Sequence, residues 1–160
     1  MKKLFTYMES PIGPLSIVRN EKGICAIQFL ILEEEEAMDF QPSDSLLMEA
    51  VRQLEEYFQQ SRTSFELPVD IQGTDFQQSV WDALRHIPIG ETRSYSEIAE
   101  QIDNKKAVRA VGQANKANPV PIIIPCHRVI GKNQSLTGYA GKEIDKKRKL
   151  LKIEGVLSKQ

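Results

Sequence analysis

The sequence predicts an α+β chain in two parts: a small antiparallel-sheet domain with one helix over residues 1–72, and a mostly helical helix-turn-helix domain over residues 73–160. Three observations predict it. Short apolar runs broken by Gly/Pro turns fill the first third. Capped segments with helical spacing fill the second half. The charge also divides. Residues 1–84 carry 6 Lys+Arg against 15 Asp+Glu (net −9), and residues 85–160 carry 15 against 7 (net +8), together the −1 of the whole chain.

The elements follow in order. Leu4–Glu9 and Leu15–Arg19 read as strands around the turn Pro11-Ile-Gly-Pro14. Asn20-Glu-Lys-Gly23 is a second turn, and Ile24–Leu30 a third strand of an antiparallel meander. Glu33–Glu36 reads as a solvated loop or helix edge. Leu46, Leu47, Val51, Leu54, Tyr57 and Phe58 recur at helical spacing over Asp44–Gln60, a helix fit to lie on the sheet. Phe65–Ile71 reads as a further strand or an extended linker, with the boundary near Gln72-Gly73. Thr74 or Asp75 caps a helix carrying Phe76, Val80, Trp81 and Leu84 that ends before Pro88. Ser94-Tyr-Ser-Glu97 is a capping box opening a short helix, and Ala107–Lys116 is a second helix after the turn Asp103–Lys106. Short helix, tight turn and basic second helix outline a helix-turn-helix, an outline that plain helical packing also produces. Asn118-Pro-Val-Pro121 stops that helix, Ile122–Ile124 is a buried run, and a last helix spans Glu143–Glu154 before Gly155.

With 160 residues, 41% hydrophobic and 27% charged, the composition excludes a disordered, collagen-like or coiled-coil chain. No apolar stretch is long enough to span a membrane. The opening MKKLFTYMESP lacks the apolar core of a signal peptide. Cys25 and Cys126 have no CxxC spacing, and two histidines add too few ligands for a Cys/His zinc site. Free thiols fit a reducing, cytoplasmic setting. The basic second half suits an anionic partner, although a dipolar solvated surface gives the same charge pattern.

Cys126 is the candidate nucleophile. It follows an apolar run and a proline, with His127 and Arg128 beside it. A free thiol with pKa near 8.5 is about 3% thiolate at neutral pH, and the setting is expected to lower that pKa. A drop of about 1.5 units corresponds to about 2 kcal/mol. The alternative is a buried structural cysteine, the reading that also suits Cys25 in its apolar strand. In an extended segment His127 points away from Cys126, so the pair requires a turn or a bridging water. Glu154, before Gly155, is one candidate acceptor for His127: the helix dipole disfavours a carboxylate there, which hints at a specific role, while a solvated helix-end carboxylate is the alternative.

Pro125-Cys-His-Arg-Val129 resembles the active-site motif of the O6-alkylguanine-DNA alkyltransferases. Arg109-Ala-Val-Gly112, Asn118-Pro-Val-Pro121, Ile122-Ile-Ile-Pro125, Gly138-Tyr-Ala-Gly141 and Glu154-Gly155 match in order and spacing over about residues 73–157. The resemblance implies a ribonuclease H-like first domain and a winged-helix-like second one. It implies a single-turnover transfer of a methyl or alkyl group from guanine O6, and less well from thymine O4, to Cys126. His127 is then the base, acting through a water, with Glu154 orienting it. Asn118 holds the turn into the active-site segment, and Tyr95 hydrogen-bonds guanine N3. Arg109 fills the stack after base flipping. Ala110 and Gly112 let the helix approach a minor groove, Lys105, Lys106 and Lys116 contact phosphate, and Arg128 adds to the DNA-binding charge. Val129, Tyr139 and Ala140 surround the base. The implied partner is duplex DNA carrying O6-alkylguanine, bound by a monomer with no cofactor and no metal.

The sequence departs from the family pattern at Gln113, at Lys142 and at Ile153, positions that bear on groove fit and pocket width. Two other function classes remain at this point: a damage sensor that binds without chemistry, and a cysteine hydrolase. The related non-catalytic proteins carry tryptophan in place of the cysteine, and no cysteine-protease signature surrounds Cys126.

Overall fold

A computed structural model describes residues 2–131 and 144–156. The chain divides into two compact units, Met1–Ile71 and Gln72–Gln160.

The first unit is a four-stranded sheet with one helix. β1 (Lys3–Met8), β2 (Leu15–Arg19) and β3 (Ile24–Gln28) form the expected antiparallel meander. β4 (Met38–Phe40) adds an edge strand parallel to β1, giving the order β3-β2-β1-β4. The sheet is therefore mixed rather than purely antiparallel; three residues after four glutamates carry too little alternation to be read as a strand. β2 is buried along four of its five residues. Ile17 is fully buried, and on the opposite face of the strand the Ser16 hydroxyl donates to Leu30 O at 2.5 Å and accepts from Leu32 N. Asp44 caps α1 (Ser45–Phe58), which packs on β1 and β2 through Leu47, Ala50, Leu54 and Tyr57. Residues 65–71 are extended, joined to β3 by the bridge Ile24↔Val69. Cys25, expected in the core, is only half-buried: Arg19 pairs with Ile24 and Val18 with Ala26, so Cys25 is the extra residue of a β-bulge.

The second unit is helical. Thr74 and Gln77 form the capping box of α2 (Asp75–Leu84), and Ser94 and Glu97 that of α3 (Tyr95–Gln101). After a turn through Asp103, α4 (Val108–Lys116) begins without a side-chain cap. The three helices pack together, and the Trp81 indole N–H locks α2 to α4 by donating to Ala114 O at 2.8 Å inside the core. A short parallel pair joins β5 (Arg93–Ser94) to β6 (Val129–Ile130), so the start of α3 is pinned beside the segment that follows Cys126. α5 (Ile144–Ile153) closes the described part. Among the described residues no helix is long and apolar enough to cross a membrane.

Candidate active site

The segment before Cys126 is held by asparagines on the last turn of α4 and just beyond it. Asn118 accepts from Val120 N at 2.9 Å and donates to Ile124 O at 2.8 Å, closing the proline-rich turn on itself. Asn115, fully buried one turn earlier, donates to the Cys126 carbonyl at 3.2 Å. Between Asn118 and Cys126, Ile122 takes φ +76°, a left-handed conformation that a β-branched residue adopts only under constraint. Its side chain is buried, so core packing supplies that constraint.

Cys126, His127 and Arg128 form one turn of 3-10 helix, all three buried. The turn resolves the geometry that adjacency left open, since neighbouring side chains here do not alternate as they do in a strand. His127 Nε2 lies 2.6 Å from Glu154 Oε2, with both side chains fully out of solvent. Glu154 is the last residue of α5's terminal turn. Gly155, at φ +87°, donates to Lys152 O while Val156 donates to Leu151 O, the paired bonds of a Schellman stop. That stop places a carboxylate against the helix dipole, and the partners on His127 and Arg128 offset the cost.

Arg128 corrects an expectation. Rather than facing DNA, its guanidinium is buried, donating to Glu154 Oε1 at 2.8 Å, to Glu154 Oε2 at 3.1 Å and to Ile87 O at 2.6 Å. Val129 is buried in β6, and its carbonyl accepts from Lys147 Nζ at 2.5 Å. Lys147 is itself buried.

Charge and burial compete at each group. Burial pushes the Cys126 thiol up to about 11, against the Asn118 hydrogen bond and the Lys147 charge, which pull it down. This overturns the expected lowering: the enclosed site removes more solvation from a thiolate than its neighbours return. Burial lowers His127, opposed by Glu154 and reinforced by Arg128 and Lys147. Burial works to raise Glu154, but the bonds from His127 and Arg128 win and hold it at about 2. Burial brings Lys147 down to about 8. At neutral pH the site therefore holds a neutral thiol, a neutral imidazole and an ionised carboxylate. An ionised Glu154 can only accept, so Nε2 carries the imidazole proton and Nδ1 is bare. Nδ1 of His127 and Oδ1 of Asn115 are the buried side-chain polar atoms without a hydrogen-bond partner among the described residues.

The other expected residues are spread over the helix-turn-helix. Lys105, Lys106, Arg109, Ala110 and Lys116 are exposed on the turn and on α4. Tyr95 is half-buried at the first position of α3, and a Cβ on Gly112 would sit 3.9 Å from its ring, so α4 crosses directly over it. Tyr139 and Ala140 lie outside the described residues. Among the described residues no cluster of three or more His, Cys, Asp or Glu could hold a metal ion.

Sequence reasoning missed Asn115 and Lys147. Both carried a signal. Asn115 lies four residues after Val111 on the inward stripe of α4, and Lys147 lies three and four residues before the buried Leu150 and Leu151. In each case a polar residue occupies a position that helical periodicity assigns to the core.

Residues 75–156 match the family model for the 6-O-methylguanine DNA methyltransferase DNA binding domain, and residues 3–71 match the model for its ribonuclease-like domain. The chain is 47% identical over 164 residues to the constitutive methylated-DNA–protein-cysteine methyltransferase of Bacillus subtilis (strain 168), with 98% of each chain covered. It is 50% identical over 152 residues to the methylated-DNA–protein-cysteine methyltransferase of Methanosarcina barkeri (strain Fusaro), covering 94% of this chain and 96% of that one. The crystal structure of Mycobacterium tuberculosis OGT in complex with DNA aligns with a TM-score of 0.86 and 46% identity over 94% of this chain and 92% of that one. With both units matched in order and about half of the residues identical along nearly the whole length, the chain belongs to the 6-O-methylguanine DNA methyltransferase family.

Proposed function

We propose that this chain repairs alkylated DNA by moving a methyl or alkyl group from O6 of guanine to the sulfur of Cys126, once per molecule. The C–S bond forms as the C–O6 bond breaks, and the electron pair leaves with guanine. The thiol proton passes through a water to Nδ1 of His127 and from there neutralises the departing base. A thioether does not hydrolyse readily, so the protein is consumed.

The observation that carries this reading is the buried Cys126–His127–Glu154 arrangement, in which the bare Nδ1 belongs to the residue next to the thiol. A thiol held neutral at rest reacts slowly with stray electrophiles, and its proton leaves only when a base and an alkyl group meet it. Asn118 contributes by hydrogen-bonding the thiol and closing the turn before it.

The remaining roles follow the surface. Tyr95 donates to the leaving base as negative charge develops. Exposed Arg109 fills the gap left by the flipped nucleotide, at a cost of a few kcal/mol for unstacking. Ala110 and Gly112 permit close approach of α4, and Lys105, Lys106 and Lys116 bind phosphate. The family resemblance, rather than the surface, assigns base contact to Val129, Tyr139 and Ala140, the last two outside the described residues. The partner is duplex DNA carrying O6-alkylguanine, with thymine O4 a poorer substrate. The chain acts as a monomer without metal or cofactor, in the cytoplasm.

The test mixes the protein with an O6-methylguanine duplex labelled in the methyl group and follows label on protein against time. Transfer that stops at one equivalent supports the reading. Binding with no label transferred favours a sensor, and continuing turnover a hydrolase; either overturns it.

A further inference from the structure

Arg128 is the residue whose expected role the structure removes, and the role it takes instead is specific. An arginine needed only to fill space would not be buried with its cation committed at three points. Here Nε and Nη2 each meet a different oxygen of Glu154, and Nη1 reaches the Ile87 carbonyl in the loop that follows α2. Oε2 of Glu154 is shared: it also accepts from His127 Nε2. A planar fork is required for this grip, which a lysine cannot reproduce.

We infer that Arg128 is a positioning residue for the transfer: by gripping both oxygens of Glu154 it turns the carboxylate toward Nε2 of His127 and leaves Nδ1 as the atom that receives the thiol proton. The inference rests on the reading given under Proposed function, and it adds a residue to that machinery. A buried carboxylate facing an imidazole alone would draw a proton onto it and form an imidazolium–carboxylate pair. Arg128 supplies the positive charge first, so a second proton would leave the site with an uncompensated buried cation.

The charged groups that face His127 pull in opposite directions. Arg128, on the same turn, and Lys147, from α5, both oppose its protonation, while Glu154, at the end of α5, favours it. Cys126 beside it is a neutral thiol. α2, which also packs on this turn, buries only Val80, Trp81, Ala83 and Leu84, and its Asp75 and Asp82 are exposed. Arg93 of β5 is paired with Glu91. Arg128 is thus the positive charge on His127 that a single substitution can remove without removing one that also acts on the thiol, as Lys147 does.

The experiment uses the full chain labelled with 15N at histidine, read by side-chain NMR across pH, alongside the pH profile of methyl transfer. Wild type is expected to show the Nε2–H tautomer, neutral to well below the ordinary pKa of about 6.5. In Arg128→Gln the His127 titration moves up by about one unit or more, and the acid limb of the transfer rate moves with it, a loss of about tenfold per unit on that limb. A folded Arg128→Gln protein with unchanged tautomer, titration and pH profile overturns the inference. Should that variant fail to fold, Arg128→Lys takes its place: a mixed tautomer supports the inference, and wild-type behaviour overturns it. If wild type transfers no methyl while the tautomer still depends on residue 128, the transfer reading fails alone and the positioning of His127 stands.

Discussion

Nε2 of His127 and Oε2 of Glu154 lie 2.6 Å apart, from residues 27 positions apart in the chain, and neither side chain reaches solvent. The contact joins the turn that carries Cys126 to the end of α5. It also links fold stability to chemistry, because the same carboxylate satisfies Arg128.

Glu154→Gln tests that link. Removing one member of a buried ion pair costs about 3–5 kcal/mol, because its partners stay buried. The pH dependence has a definite sign. Glu154 is held at about 2 against a reference of 4.5, so its contribution is complete above 4.5 and is lost as pH falls through about 2. The window corresponds to about 3 kcal/mol. Urea unfolding in mild and strong acid is expected to show this loss in wild type and a flatter profile in the variant.

Lys147→Met separates stability from chemistry. The buried ammonium is lowered from 10.5 to about 8, so its cost is fully present below 8 and is relieved as pH rises toward 10.5. Removing it gains back up to about 3 kcal/mol at neutral pH. The unpaired Val129 carbonyl costs about 1–3 kcal/mol. Net stability is therefore expected to change little, while methyl transfer slows by about tenfold or more (about 1.4 kcal/mol) as the forming thiolate loses a neighbouring cation. Denaturation midpoints and single-turnover rates, measured on the same preparation, check the two halves.

These two residues mark where the sequence was readable and where it was not. Strand and helix limits followed from alternation, from the caps at Thr74 and Ser94 and from the stop at Gly155, all local signals. β4 escaped because a three-residue edge strand is defined by its pairing with β1, not by its own pattern. Cys126, His127 and Glu154 were legible through motif and helix-dipole arguments. The inward turn of Arg128 was not, since it depends on the distant Ile87 carbonyl and Glu154. The raised thiol pKa was likewise hidden, because desolvation depends on how the whole unit closes around the sulfur.

Asn115→Leu keeps the branched shape and removes the donor to the Cys126 carbonyl. It also removes the unpartnered Oδ1, so the two desolvation effects of about 1–3 kcal/mol each oppose one another. Stability is expected to hold within about 1 kcal/mol. Transfer is expected to slow, because the peptide that carries the sulfur is no longer fixed. A rate equal to wild type contradicts a positioning role for this amide.

The exposed basic residues are expected to act through salt. Replacing Lys105, Lys106 and Lys116 by alanine lowers the slope of log affinity against log salt by about 0.9 for each phosphate that is no longer neutralised. Arg109→Ala is expected to slow transfer from a duplex while leaving transfer from a free alkylated guanine unchanged, since only the duplex leaves a gap to fill. Fluorescence anisotropy across a salt series and paired transfer assays read the two effects.

The central claim is that one buried sulfur accepts the alkyl group, and peptide-resolved mass spectrometry after exposure to a saturating O6-methylguanine duplex tests it most directly. The expected result is a single added methyl on the peptide containing Cys126, none on the peptide containing Cys25, and no addition anywhere in Cys126→Ser, which still binds the duplex. A Cys126 peptide of unchanged mass beside a demethylated guanine would contradict the account.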